Sequence, residues 1–100
     1  MTTYFITRHL GALEWAKLNA VHFDIHLPHL ADLSVLNSGD VVIGILPMQM
    51  VAELNLKGIR YVHLALNIPV HLRGQELTAF ELLQCEAKLE IYEVVRQPFS

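Results

Sequence analysis

Arg8 and His9, adjacent near the start of this 100-residue chain, are the pair of side chains best suited to chemistry. A guanidinium stabilises charge that develops on a phosphate and an imidazole transfers a proton, so the pair suits cleavage at phosphorus. The same positions fit a second interpretation, in which Arg8 is a solvated loop residue and His9 forms a turn hydrogen bond. The residues therefore mark a candidate phosphate site without identifying its ligand.

A second loop that could share this site follows a continuous apolar run at residues 41–46. A helical pattern begins after Pro47, and the free N–H groups of a first helical turn favour an anion. If the strand order is 2-1-3-4-5, the first and third strands end at a topological switch point, where α/β sheets bind ligands. His71 and Arg73, in a later loop, are further candidates to cover an anion. The candidates from the two switch-point loops are Thr7, Arg8, His9, Gly11, Pro47, Met48 and Gln49.

A row of histidines suggests a metal site at first sight. His22, Asp24 and His26 alternate with apolar residues, and His29 follows. On one face of a strand, such side chains are able to hold zinc. Ionisable side chains on the polar face of an edge strand also deter edge-to-edge pairing. We favour this second interpretation and predict no metal and no cofactor.

Other site classes lack their residues. The first loop is not a Gly-x-Gly-x-x-Gly turn, which disfavours dinucleotide binding, and a Walker-type phosphate loop is absent. No Ser/His/Asp or Cys/His set stands out, and the single Cys85 cannot form an internal disulfide. We predict that Cys85 is a packed thiol rather than a nucleophile.

The elements that must position these residues alternate between strand and helix. Such alternation predicts an α/β sheet with right-handed crossovers. We therefore expect a single domain over residues 1–100, a small Rossmann-like or flavodoxin-like three-layer fold of about five mostly parallel strands and about three helices. The predicted strands are residues 2–7, 21–27, 41–46, 60–66 and 88–95, and the predicted helices are residues 11–20, 48–56 and 78–87.

Composition and charge exclude several classes of protein. Charged residues make up only 17% and hydrophobic residues 53%, which excludes a disordered chain and suggests strands covered on both faces or a subunit interface. The net charge of −3 lies entirely in residues 76–100, so long duplex nucleic acid is not an expected partner. The longest apolar stretch spans residues 41–48, too short to cross a membrane. With no secretory leader at the N-terminus, we expect a cytoplasmic protein.

Beyond these patterns, four segments in their order resemble a known family. The most specific is Thr7-Arg8-His9-Leu10-Gly11-Ala12-Leu13-Glu14-Trp15-Ala16. Including this opening, the similar segments are residues 4–16, 39–47, 58–66 and 72–77. The chain thus resembles, over nearly its whole length, a family of small type III CRISPR-associated proteins that act as ring nucleases.

The resemblance implies a Rossmann-like homodimer that binds cyclic oligoadenylate, with cyclic tetra-adenylate as the expected ring, and cuts it without a metal. Cutting switches off the effectors that the CRISPR complex had activated. In the implied reaction a ribose 2′-oxygen attacks its neighbouring phosphorus and leaves a 2′,3′-cyclic-phosphate end. The protein has to hold that oxygen in line and stabilise charge.

Carried over to this sequence, the resemblance implies that Arg8 contacts the scissile phosphate and His9 is the acid for the departing 5′-oxygen or an orienting donor. Gln49 would bind a second phosphate, and Arg73 would reach in from its loop. Many members have proline where Leu10 stands and an acid at the candidate ligand position Asn67. Two alternatives therefore stay open: a binding protein that sequesters or senses the ring without cutting it, and an interaction subunit of a CRISPR complex.

Overall fold

The computed structural model describes residues 1–99, which form five strands, three α-helices and two short 3-10 turns. The strands are β1 (Thr3–Ile6), β2 (Ile25–Leu27), β3 (Val41–Gly44), β4 (Arg60–Ala65) and β5 (Lys88–Tyr92). The helices are α1 (Leu10–Leu18), α2 (Met48–Leu56) and α3 (Ala79–Gln84), and the 3-10 turns are Leu33–Val35 and Val70–Leu72. Both α1 and α2 have nine residues, and no helix within residues 1–99 is long and apolar enough to cross a membrane.

One sheet contains all five strands in the order β2-β1-β3-β4-β5. The first four strands run parallel, and β5 pairs with β4 in the antiparallel direction. This confirms the predicted α/β class with a mostly parallel sheet. Because β1 lies between β2 and β3, the connection after β1 and the connection after β3 run away from each other at the carboxyl edge of the sheet. A gap remains between them there.

The central strand β3 is covered on both faces, as the continuous apolar run at residues 41–46 predicts. All four residues of β1 are buried, and Phe5 has no exposed surface. On one face Tyr4, Val42 and Tyr61 belong to a core that includes Val51 and Leu54 of α2. The residues of the opposite core, against α1 and α3, are Phe5, Ala12, Trp15, Ala16, Ile43, Leu64, Ala79 and Leu82. The fold therefore has three layers, with α2 on one face of the sheet and α1 and α3 on the other.

The second strand is shorter than predicted. Instead of residues 21–27, only Ile25–Leu27 pair with β1. The preceding residues form a connection that begins against the end of α1, where Val21 donates its N–H to the carbonyl of Ala16 at 2.8 Å. Phe23 packs edge-on against Phe5, with ring centroids 5.3 Å apart. An alternation of polar and apolar residues therefore reflects a packed connection here, with the strand limited to its last part.

The third helix starts as predicted but ends earlier. Thr78 accepts a hydrogen bond from the N–H of Glu81, whose carboxylate accepts one from the N–H of Thr78, both at 3.1 Å. This capping box confirms the predicted start of the helix. The helix ends at Gln84 rather than at residue 87, because Glu86 adopts a left-handed conformation (φ 57°). Cys85 is fully buried, which confirms the predicted packed thiol.

The chain leaves the sheet on the side opposite the carboxyl ends of the parallel strands. Since β5 is antiparallel, its last residue, Tyr92, pairs with Tyr61 near the beginning of β4. Val94 then donates its N–H to the side chain of Asn55 near the end of α2, at 2.8 Å. The segment after β5 is therefore attached to the amino edge of the sheet.

Candidate functional site

A cleft opens at the switch point between the connections that follow β1 and β3. Its volume of about 480 Å³ lies within the range of small-molecule sites. Buried apolar side chains, among them Phe5, Leu64 and Leu82, line its interior. Its exposed lining residues include Arg8, His9, His29 and Gln75. The cleft thus has an apolar interior and a polar, cationic rim, which suits a ligand with a flat apolar part and an anionic part.

The first loop is held by backbone contacts around Thr7. The N–H of Thr7 donates to the carbonyl of Leu27 at 3.0 Å, and the Nε2 of His26 donates to the carbonyl of Thr7 at 2.8 Å. The hydroxyl of Thr7 accepts from the N–H of His9 at 3.1 Å. The two residues that follow Thr7 are therefore presented at the rim of the cleft by a fixed backbone.

Arg8 and His9 differ in their surroundings. The Arg8 side chain is exposed and makes no hydrogen bond or ion pair with any residue in the described range 1–99. His9 is the N-cap of α1, and its Nδ1 lies 3.1 Å from Oε1 of Glu76. Arg8 is thus available to an anion, and one ring nitrogen of His9 is already occupied by a carboxylate.

The second loop is held by a buried tyrosine. The hydroxyl of Tyr61 donates to the carbonyl of Gly44 at 2.9 Å and accepts from the N–H of Leu46 at 3.0 Å. The same oxygen lies 2.6 Å from Nδ1 of His63. Burial raises the pKa of Tyr61 above its ordinary value, so the hydroxyl stays protonated. These contacts fix the backbone on which Pro47 reaches the cleft.

Some predicted site residues meet at the cleft, and others lie outside it. Thr7, Arg8, His9 and Pro47 line it together. Met48 and Gln49 are exposed on the first turn of α2 and do not line the cleft. Gly11 is buried beneath the loop that precedes α3, with no room for a Cβ beside the carbonyl of Leu77.

The candidates after β4 also lie outside the cleft lining. Asn67 is exposed, and its N–H donates to the carbonyl of Cys85 at 2.8 Å. His71 is exposed in a 3-10 turn, and Arg73 donates through Nε to the carbonyl of Ile68 at 3.3 Å. The loop contributes other residues to the cleft instead, namely Leu66, Ile68, Gln75 and Leu77.

The sequence reasoning missed His29 and Gln75 as cleft residues. His29 was grouped with His22 and His26, yet it lies at the cleft with Pro28 and Leu30. Gln75 donates its amide to the carbonyl of His71 at 3.0 Å. The one sequence signal for Gln75 was its place in a polar loop, between Arg73-Gly74 and Glu76. A single sequence does not distinguish a cleft residue from the other residues of such a loop.

The three histidines near β2 do not converge. Nε2 of His22 lies 3.1 Å from Oδ1 of Asp24, His26 donates to the first loop, and His29 faces the cleft. Within the described part of the chain, no group of three or more His, Cys, Asp or Glu residues is arranged to hold a metal. The row of ligands that a complete strand over residues 21–27 would create is not formed, because His22 and Asp24 precede the strand.

Comparison with known proteins identifies the family. No curated protein and no solved structure matches the chain. Residues 4–95 match the model of the family described as "Putative CRISPR-associated protein (Cas_VVA1548)". The match includes all five strands except the first residue of β1, and it includes both loops of the cleft. The chain therefore belongs to this family of CRISPR-associated proteins.

Proposed function

We propose that the protein is a ring nuclease that binds cyclic oligoadenylate at the switch-point cleft and cuts it without a metal. The observation that carries this proposal is the free Arg8 guanidinium beside His9 at the rim of an apolar cleft. Membership in a CRISPR-associated family supports the choice of a signalling nucleotide as ligand. Cleavage of that ligand would end type III CRISPR signalling.

The proposed reaction needs only an in-line geometry, charge stabilisation and a proton. The ribose 2′-oxygen forms a bond to the adjacent phosphorus, and the bond from phosphorus to the 5′-oxygen breaks. The 2′-hydroxyl releases its proton to solvent, and His9 protonates the departing 5′-oxygen. Arg8 stabilises the charge on the phosphoryl oxygens. The product is linear and ends in a 2′,3′-cyclic phosphate, so no water or cofactor is consumed.

The shape of the cleft supports a ligand that enters only in part. A ring of several nucleotides exceeds a cavity of about 480 Å³, whereas one base with its ribose suits the apolar interior. The phosphate of that nucleotide would then meet Arg8 at the rim. The remaining nucleotides would extend outside the cleft, where they could meet the exposed Arg73 and Gln49.

The proposal includes a two-fold dimer. Large apolar side chains remain uncovered on α3 and β5, where Phe80 is 68% exposed and Ile91 is 64% exposed. A symmetric pair of clefts would suit a symmetric ring. Sedimentation at micromolar concentration should give twice the mass of the chain, and a monomer under those conditions contradicts this part of the proposal.

The decisive experiment is incubation with labelled cyclic tetra-adenylate in the presence of a chelator. We expect linear products with a cyclic-phosphate end, and an Arg8→Ala variant that is slower by at least about 100-fold. Arg60→Ala is the matched control, because Arg60 is an exposed arginine at the amino edge of the sheet. Unchanged turnover in Arg8→Ala would overturn the assignment of the site.

A second candidate is a binding protein that holds the ring without cutting it. The apolar interior of the cleft favours it, because burial of a base gives affinity without any chemistry. Intact ring that co-migrates with the protein would identify this function. Intact and unbound ring would leave other ring sizes or the interaction-subunit alternative, in which the exposed apolar side chains contact another CRISPR protein.

A further inference from the structure

We propose that Glu76 is a positioning residue that sets the orientation and tautomer of His9, so that Nε2 of the imidazole faces the cleft. The role of this contact in cleavage rests on the proposed function, whereas the tautomer does not. Glu76 lies 67 residues after His9, in the loop between β4 and α3, and its Oε1 is 3.1 Å from Nδ1 of His9.

The contact reaches His9 from outside the cleft. Gln75 and Leu77 line the cleft, whereas Glu76 between them does not. The Glu76 side chain is 72% exposed, as expected for a residue on the outer side of the loop. Since the carboxylate contacts the Nδ1 side of the imidazole, the proposed orientation turns the opposite edge, which carries Nε2, towards the cleft.

The carboxylate also determines which ring nitrogen carries the proton of neutral His9. An ionised carboxylate only accepts hydrogen bonds, so Nδ1 must be the donor at this distance. Neutral His9 therefore has its lone pair on Nε2, and protonated His9 has an N–H there to donate. The protonated ring, with its N–H on Nε2, is the form that donates a proton to a departing 5′-oxygen.

Both partners are held close to the start of α1. His9 caps α1, and Gly11 packs against the carbonyl of Leu77, the residue after Glu76. The capping box of Thr78 and Glu81 then fixes the start of α3. The Glu76 backbone is thus held next to His9 by packing and capping, so the pair does not depend on its own attraction alone.

The first test is the protonation of the His9 ring, observed by long-range ¹H–¹⁵N NMR on the full chain, with His9→Gln used to assign the signals. We expect the Nδ1–H tautomer in the wild type and loss of that preference in Glu76→Ala. Glu76→Gln should retain it, because the amide oxygen still accepts from Nδ1. Glu14→Gln, an exposed carboxylate on α1, is the control and should change nothing. An Nε2–H tautomer in the wild type, or no change in Glu76→Ala, overturns the proposal.

The second test uses cleavage of cyclic tetra-adenylate. Glu76→Ala should lower kcat by about 10- to 100-fold with an unchanged dissociation constant for the ring, by analogy with the carboxylate partners of metal-binding histidines. Tighter binding of the ring in Glu76→Ala would mean that the carboxylate competes with the ligand for His9, which would overturn the positioning role. Absence of cleavage by the wild type would refute the proposed function, and the NMR result would still decide the orientation of His9.

Discussion

Replacement of Gly11 by alanine tests the contact between α1 and the loop that carries Glu76. The added Cβ would overlap the carbonyl oxygen of Leu77 and lie 2.9 Å from its carbonyl carbon and 3.0 Å from that of Thr78. All three atoms belong to backbone, so relief requires movement of the loop or of the helix. The substitution therefore separates the two partners of the His9–Glu76 contact without changing either of them.

The sign of the effect on stability follows from two opposing contributions. Alanine inside a helix is more favourable than glycine by about 0.5–1 kcal/mol. Overpacking of a buried site costs about 1–3 kcal/mol, and a clash with backbone lies at the upper end of that range. We expect a net loss of about 2–2.5 kcal/mol, which for a chain of this size lowers Tm by about 8–20 °C.

Thermal unfolding followed by circular dichroism measures this difference directly. Lys17→Ala, an exposed position on the same helix, is the control and should leave Tm nearly unchanged. Gly11→Ala should also weaken the preference of His9 for the Nδ1–H tautomer. A Tm equal to or above that of the wild type would show that helix propensity outweighs the clash, and would refute the close contact between α1 and Leu77.

Two further predictions concern the groups that hold the loops. Tyr61→Phe removes the hydroxyl that forms hydrogen bonds with the backbone of Gly44 and Leu46. We expect the free energy of unfolding, measured in urea, to fall by about 1–3 kcal/mol. An unchanged urea midpoint would contradict the role of the hydroxyl. Asp40 accepts hydrogen bonds from the N–H groups of Asn37 and Thr2, both at 2.9 Å, which lower the pKa of its carboxyl. Its stabilising contribution is therefore complete above the unfolded pKa of about 4 and is lost as pH falls through the lower folded value. Asp40→Asn should be less stable than the wild type at pH 7 and less sensitive to acid below pH 4; equal acid sensitivity in the two proteins would refute this reasoning.

The fold was predictable where local pattern and burial agree. The continuous apolar run at β3 indicated a strand covered on both faces, and the predicted start of the third helix at residue 78 agrees with the observed capping box. The prediction of a strand was wrong at residues 21–24. An alternation of polar and apolar residues does not distinguish a half-buried strand from a connection that packs one of its sides against the core. The hydrogen bond from Val21 to the end of α1 ties the start of this connection to the helix, and that bond is not encoded in periodicity.

The candidate site was predictable only in part. The switch-point rule located Arg8, His9 and Pro47, because it depends on strand order alone. The contributions of Gln75 and Glu76 depend on where a loop between β4 and α3 folds back, and no sequence rule gives the path of such a loop. The contact of Gly11 with Leu77 holds the end of that loop against α1, through a packing relation across 66 residues of chain.

The antiparallel direction of β5 determines where a label or a surface linker can be attached to the protein without obstructing the cleft. Both the start of β1 and the segment after β5 lie at the amino edge of the sheet, and the cleft lies at the carboxyl edge. The Arg96 guanidinium also lies 3.7 Å from the carboxylate of Glu53 on α2. A fluorophore or surface linker joined at residue 93, directly after β5, therefore stands away from the path by which a ligand enters, and the immobilised protein presents its cleft to solution.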